Sequence, residues 1–244
     1  MKTSLVKRLC LVACGALVVG GLGGCASMAS SSNSPRDPYE GFNRAVFQVN
    51  EAIDKAVIKP VAQGYDAAAP LPVKVGVGNF FGNLADAWTA INNFLQGKGG
   101  QGFSDVGRVL VNTTVGIGGI FDVASEMGLE KHAEDFGQTL GTWGVGDGPY
   151  FVWPIIGPRT TRDTFGWALD SYVDPVMNLD DVPWRNSLAG TRLIDVRARL
   201  LPTDKLIEQA AFDKYTYIRD AYLQNRRSAI YDGSPPRESL EELE

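Results

Sequence analysis

Apolar residues in this chain return every three or four positions, in one segment after another. Nowhere do they alternate long enough to specify a confident strand. That periodicity restricts the chain to packed amphipathic helices. Phe42, Val46, Val49, Ile53 and Val57 form one stripe. Asp37 is placed to cap this helix, Pro38 to open it and Glu40 to complete a capping box. Lys59-Pro60 is expected to kink or end it. Leu71-Pro72 starts a second stretch, in which Leu84, Trp88, Ile91 and Leu95 recur before Gly97. A third starts near Gly102 and carries Phe103, Val106, Leu110 and Thr113. Taken alone, such stripes read as the core of a soluble bundle. The five tryptophans of the chain equally suit a membrane interface.

Gly116-Ile117-Gly118-Gly119 interrupts the third helix. It lacks the spacing of a dinucleotide-binding loop and reads as a bend. Ile120 to Met127 then suggest a short apolar helix, 128–135 a polar loop or hairpin, and Phe136 to Trp143 another short helix. Residues 144–154, crowded with glycine, proline and aromatics, read as extended chain. Helices are expected at 161–172, 183–200 and 203–227, the last with Ile207, Ala211, Tyr215, Ile218 and Tyr222 on its stripe. The reading is an all-α domain of seven to nine helices over residues 37–233. An acidic, disordered tail is expected at 234–244.

The N-terminus predicts export. Lys2, Lys7 and Arg8 precede an apolar run from Leu9 to Leu22, too short to span the ~30 Å hydrocarbon of a bilayer. Leu22-Gly23-Gly24-Cys25 resembles a bacterial lipobox, which assigns 1–24 to a signal peptide, makes Cys25 the lipidated residue and leaves 25–36 as a Ser-rich tether. Leu11-Val12-Ala13-Cys14 is a rival lipobox, but it leaves an apolar region shorter than the usual ~7 residues. Ala26, where an Asp would resemble an inner-membrane retention signal, favours the outer membrane.

Cleavage before Cys25 removes Cys10 and Cys14, so neither a disulfide nor a thiolate metal site is expected. The cleaved chain keeps 20 basic residues against 28 acidic ones, a balance of −8 once Lys2, Lys7 and Arg8 are gone. That argues against nucleic acid and against electrostatic docking on anionic lipid as the main attachment. His132 is the single histidine. A hydrolase using it as base, with Ser125 or Asp135 beside it in sequence, is one alternative; a structural adaptor is another.

Beginning at Asp37-Pro38-Tyr39-Glu40-Gly41-Phe42-Asn43-Arg44, the chain resembles the MlaA (VacJ) family of outer-membrane lipoproteins. The likeness continues at Lys59-Pro60-Val61-Ala62, Asn79-Phe80-Phe81-Gly82-Asn83-Leu84 and Asn92-Asn93-Phe94-Leu95-Gln96-Gly97. It runs on through 112–122, Phe136-Gly137-Gln138-Thr139-Leu140-Gly141, Gly148-Pro149-Tyr150, and Pro154-Ile155-Ile156-Gly157-Pro158 with Arg162-Asp163, and weakens between Asp174 and Thr203. The resemblance implies a ring-like helical fold embedded in the inner leaflet. It implies passage of outer-leaflet phospholipid to a periplasmic carrier, a trimeric porin as partner, no enzymatic activity, and no cofactor beyond the covalent lipid on Cys25. Gly116, Gly118, Gly119, Phe121 and Met127 are the expected lipid path or gate. Asp37, Glu40, Asn43 and Arg44 are expected to serve the fold rather than to touch lipid.

Overall fold

The computed structural model describes residues 36–237. The signal peptide, Cys25, nearly all of the tether and residues 238–244 of the tail lie outside the described residues. Helix α1 (Glu40–Ile53) runs through a π-helical turn (Asp54–Ile58) into α2 (Lys59–Ala68). Next come α3 (Leu71–Leu95), α4 (Gly99–Thr114), α5 (Val123–Glu126) and α6 (Phe136–Thr142). A hairpin, β1 (Tyr150–Trp153) and β2 (Gly157–Thr160), precedes α7 (Thr161–Val173), α8 (Val182–Ala210) and α9 (Lys214–Ile230). The fold class is all-α, as the periodicity requires.

Three local expectations are corrected. Of the kink or end expected at Pro60, the end does not occur, and the helix continues through the π-helical turn. Proline has no N–H to donate, and the turn before it widens so that Lys59 N–H reaches Asp54 O, five residues back. Pro202 likewise lies inside α8, so the two helices expected at 183–200 and 203–227 meet at 211–213 instead. Ion pairs clamp the chain on both sides of Pro202: Arg197 holds Asp54 through two 2.8 Å bonds and also reaches Asp204, which Lys59 pairs at 2.9 Å. Finally, Asp37 does not cap α1. It is buried and accepts hydrogen bonds from Asn43 and Tyr215, while Tyr39 precedes the helix without a side-chain cap.

The stretch expected to be extended chain supplies β1, which pairs antiparallel with β2 beyond it, in register Tyr150↔Thr160 to Trp153↔Gly157. Two asparagines one heptad apart on α1 dock it. Asn43 donates to Tyr150 O and accepts from Val152 N, and Asn50 donates to Trp153 O and accepts from Ile155 N. Each side-chain amide therefore satisfies the unpaired edge of β1 as a neighbouring strand would. Packing neighbours close into a circuit: α2 on α8, α8 on α3, α3 on α6, α6 on α9, α9 on β2, and β1 on α1.

Polarity is inverted across much of this circuit. Among the described residues, seventeen polar or charged side chains are buried but only ten apolar ones. The stripe on α1 faces outward except at Val46, with Phe42 50 % exposed. On α3, Ile91 and Leu95 are exposed while Asn83, Asp86, Thr89, Asn92 and Asn93 are buried. On α4, Phe103 is 73 % exposed while Asp105, Arg108 and Asn112 are buried. Only the α9 stripe turns inward, and Tyr215 joins Val46, Tyr150 and Val152 in a small apolar cluster. No helix among the described residues is long and apolar enough to cross a membrane.

The second end of the fold rests on Arg226. It grips Asp135 through bonds of 2.6 and 2.9 Å and Asp163 through bonds of 3.0 and 2.9 Å. Burial pushes the Asp163 carboxyl up, but the charge and hydrogen bonds of Arg226, the Tyr222 hydroxyl and Arg162 pull it down further, to about 2. A carboxyl depressed in the folded state adds stability that is complete above the ordinary carboxylate range and is lost as pH falls toward 2. For Asp163 that contribution is on the order of 2 kcal/mol. Acid denaturation of the wild-type protein is thus expected to begin below about pH 4. Arg226→Met leaves Asp135 without its cation and Asp163 with only Arg162 and the Tyr222 hydroxyl, and is expected to cost about 3–5 kcal/mol in equilibrium unfolding at pH 7. An unfolding midpoint unchanged by Arg226→Met would contradict this account.

Candidate functional site

Between α3, α8 and the segment 120–126 lies a cavity of about 930 Å³. Its walls are chiefly Val73, Val77, Phe80, Phe81, Ile120, Phe121 and Leu188, with Asn79, Thr191, Asp122, Ser125 and Glu126 as the polar part of the lining. Volume and lining suit an elongated apolar group with one polar end.

The bend after α4 sets the wall that Phe121 provides. Ile117, Gly118 and Gly119 all take positive φ, at 53°, 67° and 88°. For a β-branched residue such as Ile117 that conformation is strained. Backbone bonds hold it closed: Gly118 N to Thr113 O, Gly119 N to Asn112 O, and Phe121 N to Gly116 O. A Cβ on Gly116 would lie 2.2 Å from Phe121 O, and one on Gly119 would lie 2.5 Å from Asn83 Cβ. Both glycines are therefore required by close approach, and Gly118 by its φ alone.

Beneath the cavity sits a buried polar network. Arg108, only 1 % exposed, reaches Asp86 Oδ2 at 3.3 Å, Ser125 Oγ at 2.9 Å and Leu129 O at 2.8 Å. It also forks onto both oxygens of Asp122 at 2.9 and 3.0 Å. Burial pushes the Asp122 carboxyl up, but hydrogen bonds from Ser125, Asn112 and Arg108 bring it well below the usual carboxylate range. Asp122 caps α5 through Ser125 N, and Asn112 accepts from Ala124 N. The Asp122–Ser125 part of the cavity's polar edge is thus fixed, its hydrogen bonds met by Arg108 and Asn112.

The loop 128–135, expected to be polar, is anchored along its length. Lys131 pairs with Asp86, His132 Nδ1 lies 3.0 Å from Asp105 Oδ1, and Lys98 holds Glu134 at 3.0 Å. His132 is therefore engaged by Asp105. Ser125 Oγ donates to Asp122 at 2.6 Å, and Asp135 is occupied by Arg226. The three residues considered for hydrolysis are each committed to different partners.

Of the expected path residues, Phe121 lines the cavity. Gly116, Gly118 and Gly119 shape the bend that carries it, and Met127 is exposed beyond the lining. Cys25 lies outside the described residues. Sequence reasoning missed Asp86, Arg108 and Asp122. For Asp86 a signal was available: Asn79, Asn83, Asp86 and Asn93 recur at helical spacing on α3, opposite its apolar stripe.

A family model described as MlaA lipoprotein matches residues 35–229. The intermembrane phospholipid transport system lipoprotein MlaA of Escherichia coli K12 is 37 % identical over 216 residues, covering 86 % of this chain and 84 % of that protein. Its counterpart in Haemophilus influenzae is 33 % identical over 219 residues, with 87 % of each chain covered. An uncharacterised protein of Rickettsia typhi is 36 % identical over 195 residues, covering 80 % of this chain and 78 % of that one. A solved structure described as "Structural basis for maintenance of bacterial outer membrane lipid asymmetry" superposes with a TM-score of 0.71 at 33 % identity, over 80 % of this chain and 98 % of that one. With the family model spanning nearly all of the described fold and close relatives covered over most of their length, this chain belongs to the MlaA lipoprotein family.

Proposed function

We propose that this protein is a non-enzymatic outer-membrane lipoprotein that removes misplaced phospholipid from the outer leaflet for return toward the inner membrane. The observation that carries the reading is the inverted polarity. Phe42, Ile91, Phe103 and Leu110 stand exposed on helices whose buried faces hold Asn43, Asp86, Asn93 and Arg108. In water that arrangement is costly, since exposed apolar area forgoes about 25 cal/mol per Å². Against acyl chains it costs nothing, while ion pairs and hydrogen bonds in the interior are strengthened by a low dielectric. The exposed apolar side chains then face acyl chains, with the polar seam turned inward.

The cavity supports the lipid half of the reading. Apolar walls take an acyl chain, and the edge at Asn79 and Thr191 leaves polar atoms for the glycerol and headgroup, which lose several kcal/mol if stripped of partners. Selection is by shape and polarity, and no covalent step is needed. Gly116, Gly118 and Gly119 serve by fixing Phe121 at the path, and Met127 flanks its outer side. Acylation of Cys25 delivers and orients the protein. The apolar belt suits a membrane-embedded porin as partner, and a soluble periplasmic carrier is the receiver of the lipid.

Deleting the protein is expected to raise outer-leaflet phospholipid and detergent sensitivity, and the wild-type gene restores both. Val77→Trp, which fills the cavity, is expected to be made at normal levels yet fail to restore lipid asymmetry, while Val77→Ala restores it. Full complementation by Val77→Trp would remove the cavity from the path. A Cys25→Ser form with a replaced export signal is expected to stay insoluble without detergent; a monodisperse, detergent-free monomer would show that the lipid on Cys25 is the whole anchor.

A further inference from the structure

Every strongly buried arginine in the described residues holds a carboxylate. Arg108 pairs with Asp86 and Asp122, Arg162 with Asp147 and Asp163, Arg197 with Asp54 and Asp204, Arg219 with Asp37, and Arg226 with Asp135 and Asp163. Arg159 on β2 is the exception. It is half-buried, its Nε is sealed from solvent without an acceptor, and no carboxylate among the described residues lies within ion-pair distance. Its guanidinium instead lies over the Trp167 ring, 5.3 Å from the centroid.

The carboxylates around it are already taken. Asp135 and Asp163 are bound by Arg226, and Asp170 accepts from Trp88 Nε1 at 2.7 Å and Phe136 N at 3.0 Å. Burial lowers the Arg159 pKa, with the charges of Tyr222, Asp135 and Asp163 acting against it and Arg226 adding to it. A cation withdrawn from water without an acceptor is unfavourable, and buried donors in native folds are normally paired. Tyr222 and Arg226, which face Arg159, also line a second cavity of about 420 Å³ whose apolar wall is Ile207, Ile218 and Ala221. An unpaired guanidinium that shares its neighbours Tyr222 and Arg226 with an apolar recess matches an amphiphile whose polar part carries several charged oxygens.

We infer that Arg159, held flat on Trp167, is a binding contact for the phosphate oxygens of a phospholipid headgroup. The inference rests on the phospholipid reading above and adds a second headgroup contact, at the Arg226 end of the fold and apart from the Asn79–Thr191 edge of the first cavity. Free inorganic phosphate offers the same oxygens, so the test separates the two. Alternatively, Arg159 is a structural charge balancing Asp163 and Asp170 from a distance. The two roles differ in sign. A structural charge leaves stability lower when removed. An orphan cation kept for a ligand leaves stability equal or higher when replaced by an apolar chain of similar length.

The experiment uses the full-length protein in detergent, with short-chain phosphatidylglycerol, the matching phosphate-free diacylglycerol and inorganic phosphate as titrants. The wild-type protein is expected to bind phosphatidylglycerol at least tenfold more tightly than Arg159→Met does, with Arg159→Lys intermediate and diacylglycerol binding unchanged by either substitution. Arg159→Met is expected to melt at or above the wild-type temperature without lipid. Inorganic phosphate that binds wild type as tightly as phosphatidylglycerol would replace the lipid with free phosphate and overturn the headgroup assignment. Equal phosphatidylglycerol binding by wild type and Arg159→Met, or a lower melting temperature for Arg159→Met, overturns the inference while leaving the transport reading standing. A wild-type protein that binds no phospholipid overturns both.

Discussion

Arg108 is the interaction on which the cavity end of the fold depends. One guanidinium gathers Asp86 from α3, Asp122 from the turn, Ser125 from α5 and the Leu129 carbonyl from the loop beyond. Asp86 then passes the connection to Lys131, and Asp122 passes it to Asn112. A hydrophobic core tolerates many packings of the same volume. A buried cation does not, because each missing acceptor costs free energy. With Ile91, Leu95, Phe103 and Leu110 exposed on α3 and α4, the hydrophobic effect gives little information about which faces meet. Directional hydrogen bonds provide that information instead: Asn83 to Thr113, Asn93 to Asp105, and Arg108 to Asp86 along one seam.

Periodicity found the helices but not their orientation. The stripe Leu84, Trp88, Ile91 and Leu95 is present, yet its spacing is the same whether it faces protein or lipid. The complementary stripe of Asn83, Asp86, Thr89 and Asn93 decides the matter, because four polar side chains on one buried face need partners on the neighbouring helix. The continuity of the helices through Pro60 and Pro202 has a related reason. Pro60 and Pro202 forfeit a backbone bond in any context, but tertiary ion pairs between α8 and the α1–α2 rod hold both helices through the defect. Such pairs join residues more than 140 positions apart and leave no local trace. The hairpin escaped because its strands have four residues each and are ordered by Asn43 and Asn50 from α1.

The site was legible in part. Three glycines within four residues marked the bend, and Phe121 beside them does line the cavity. Their physical role differs from the flexibility that glycine suggests. Gly116 and Gly119 stand where the Phe121 and Asn83 atoms leave no room for a Cβ, and backbone bonds lock the turn. Arg159 carried no signal, since a lone arginine between Pro158 and Thr160 has no pattern to belong to. It becomes visible only when the partners of every other buried arginine are assigned.

The strain at Ile117 connects these features. A left-handed β-branched residue costs of order 1–3 kcal/mol and persists only where its surroundings determine it. Here Asn112 supplies that determination from two sides: its backbone oxygen accepts from Gly119 N, and its side chain binds Asp122 and the Ala124 amide. Asp122 is in turn fixed by Arg108. The apolar wall at Phe121 is therefore held by the same charge that joins α3 to α4. Disturbing Arg108 would move the cavity as well as weaken the fold. The cavity's shape follows from the polar seam, and the apolar exterior leaves that seam as the main source of specificity in this half of the molecule.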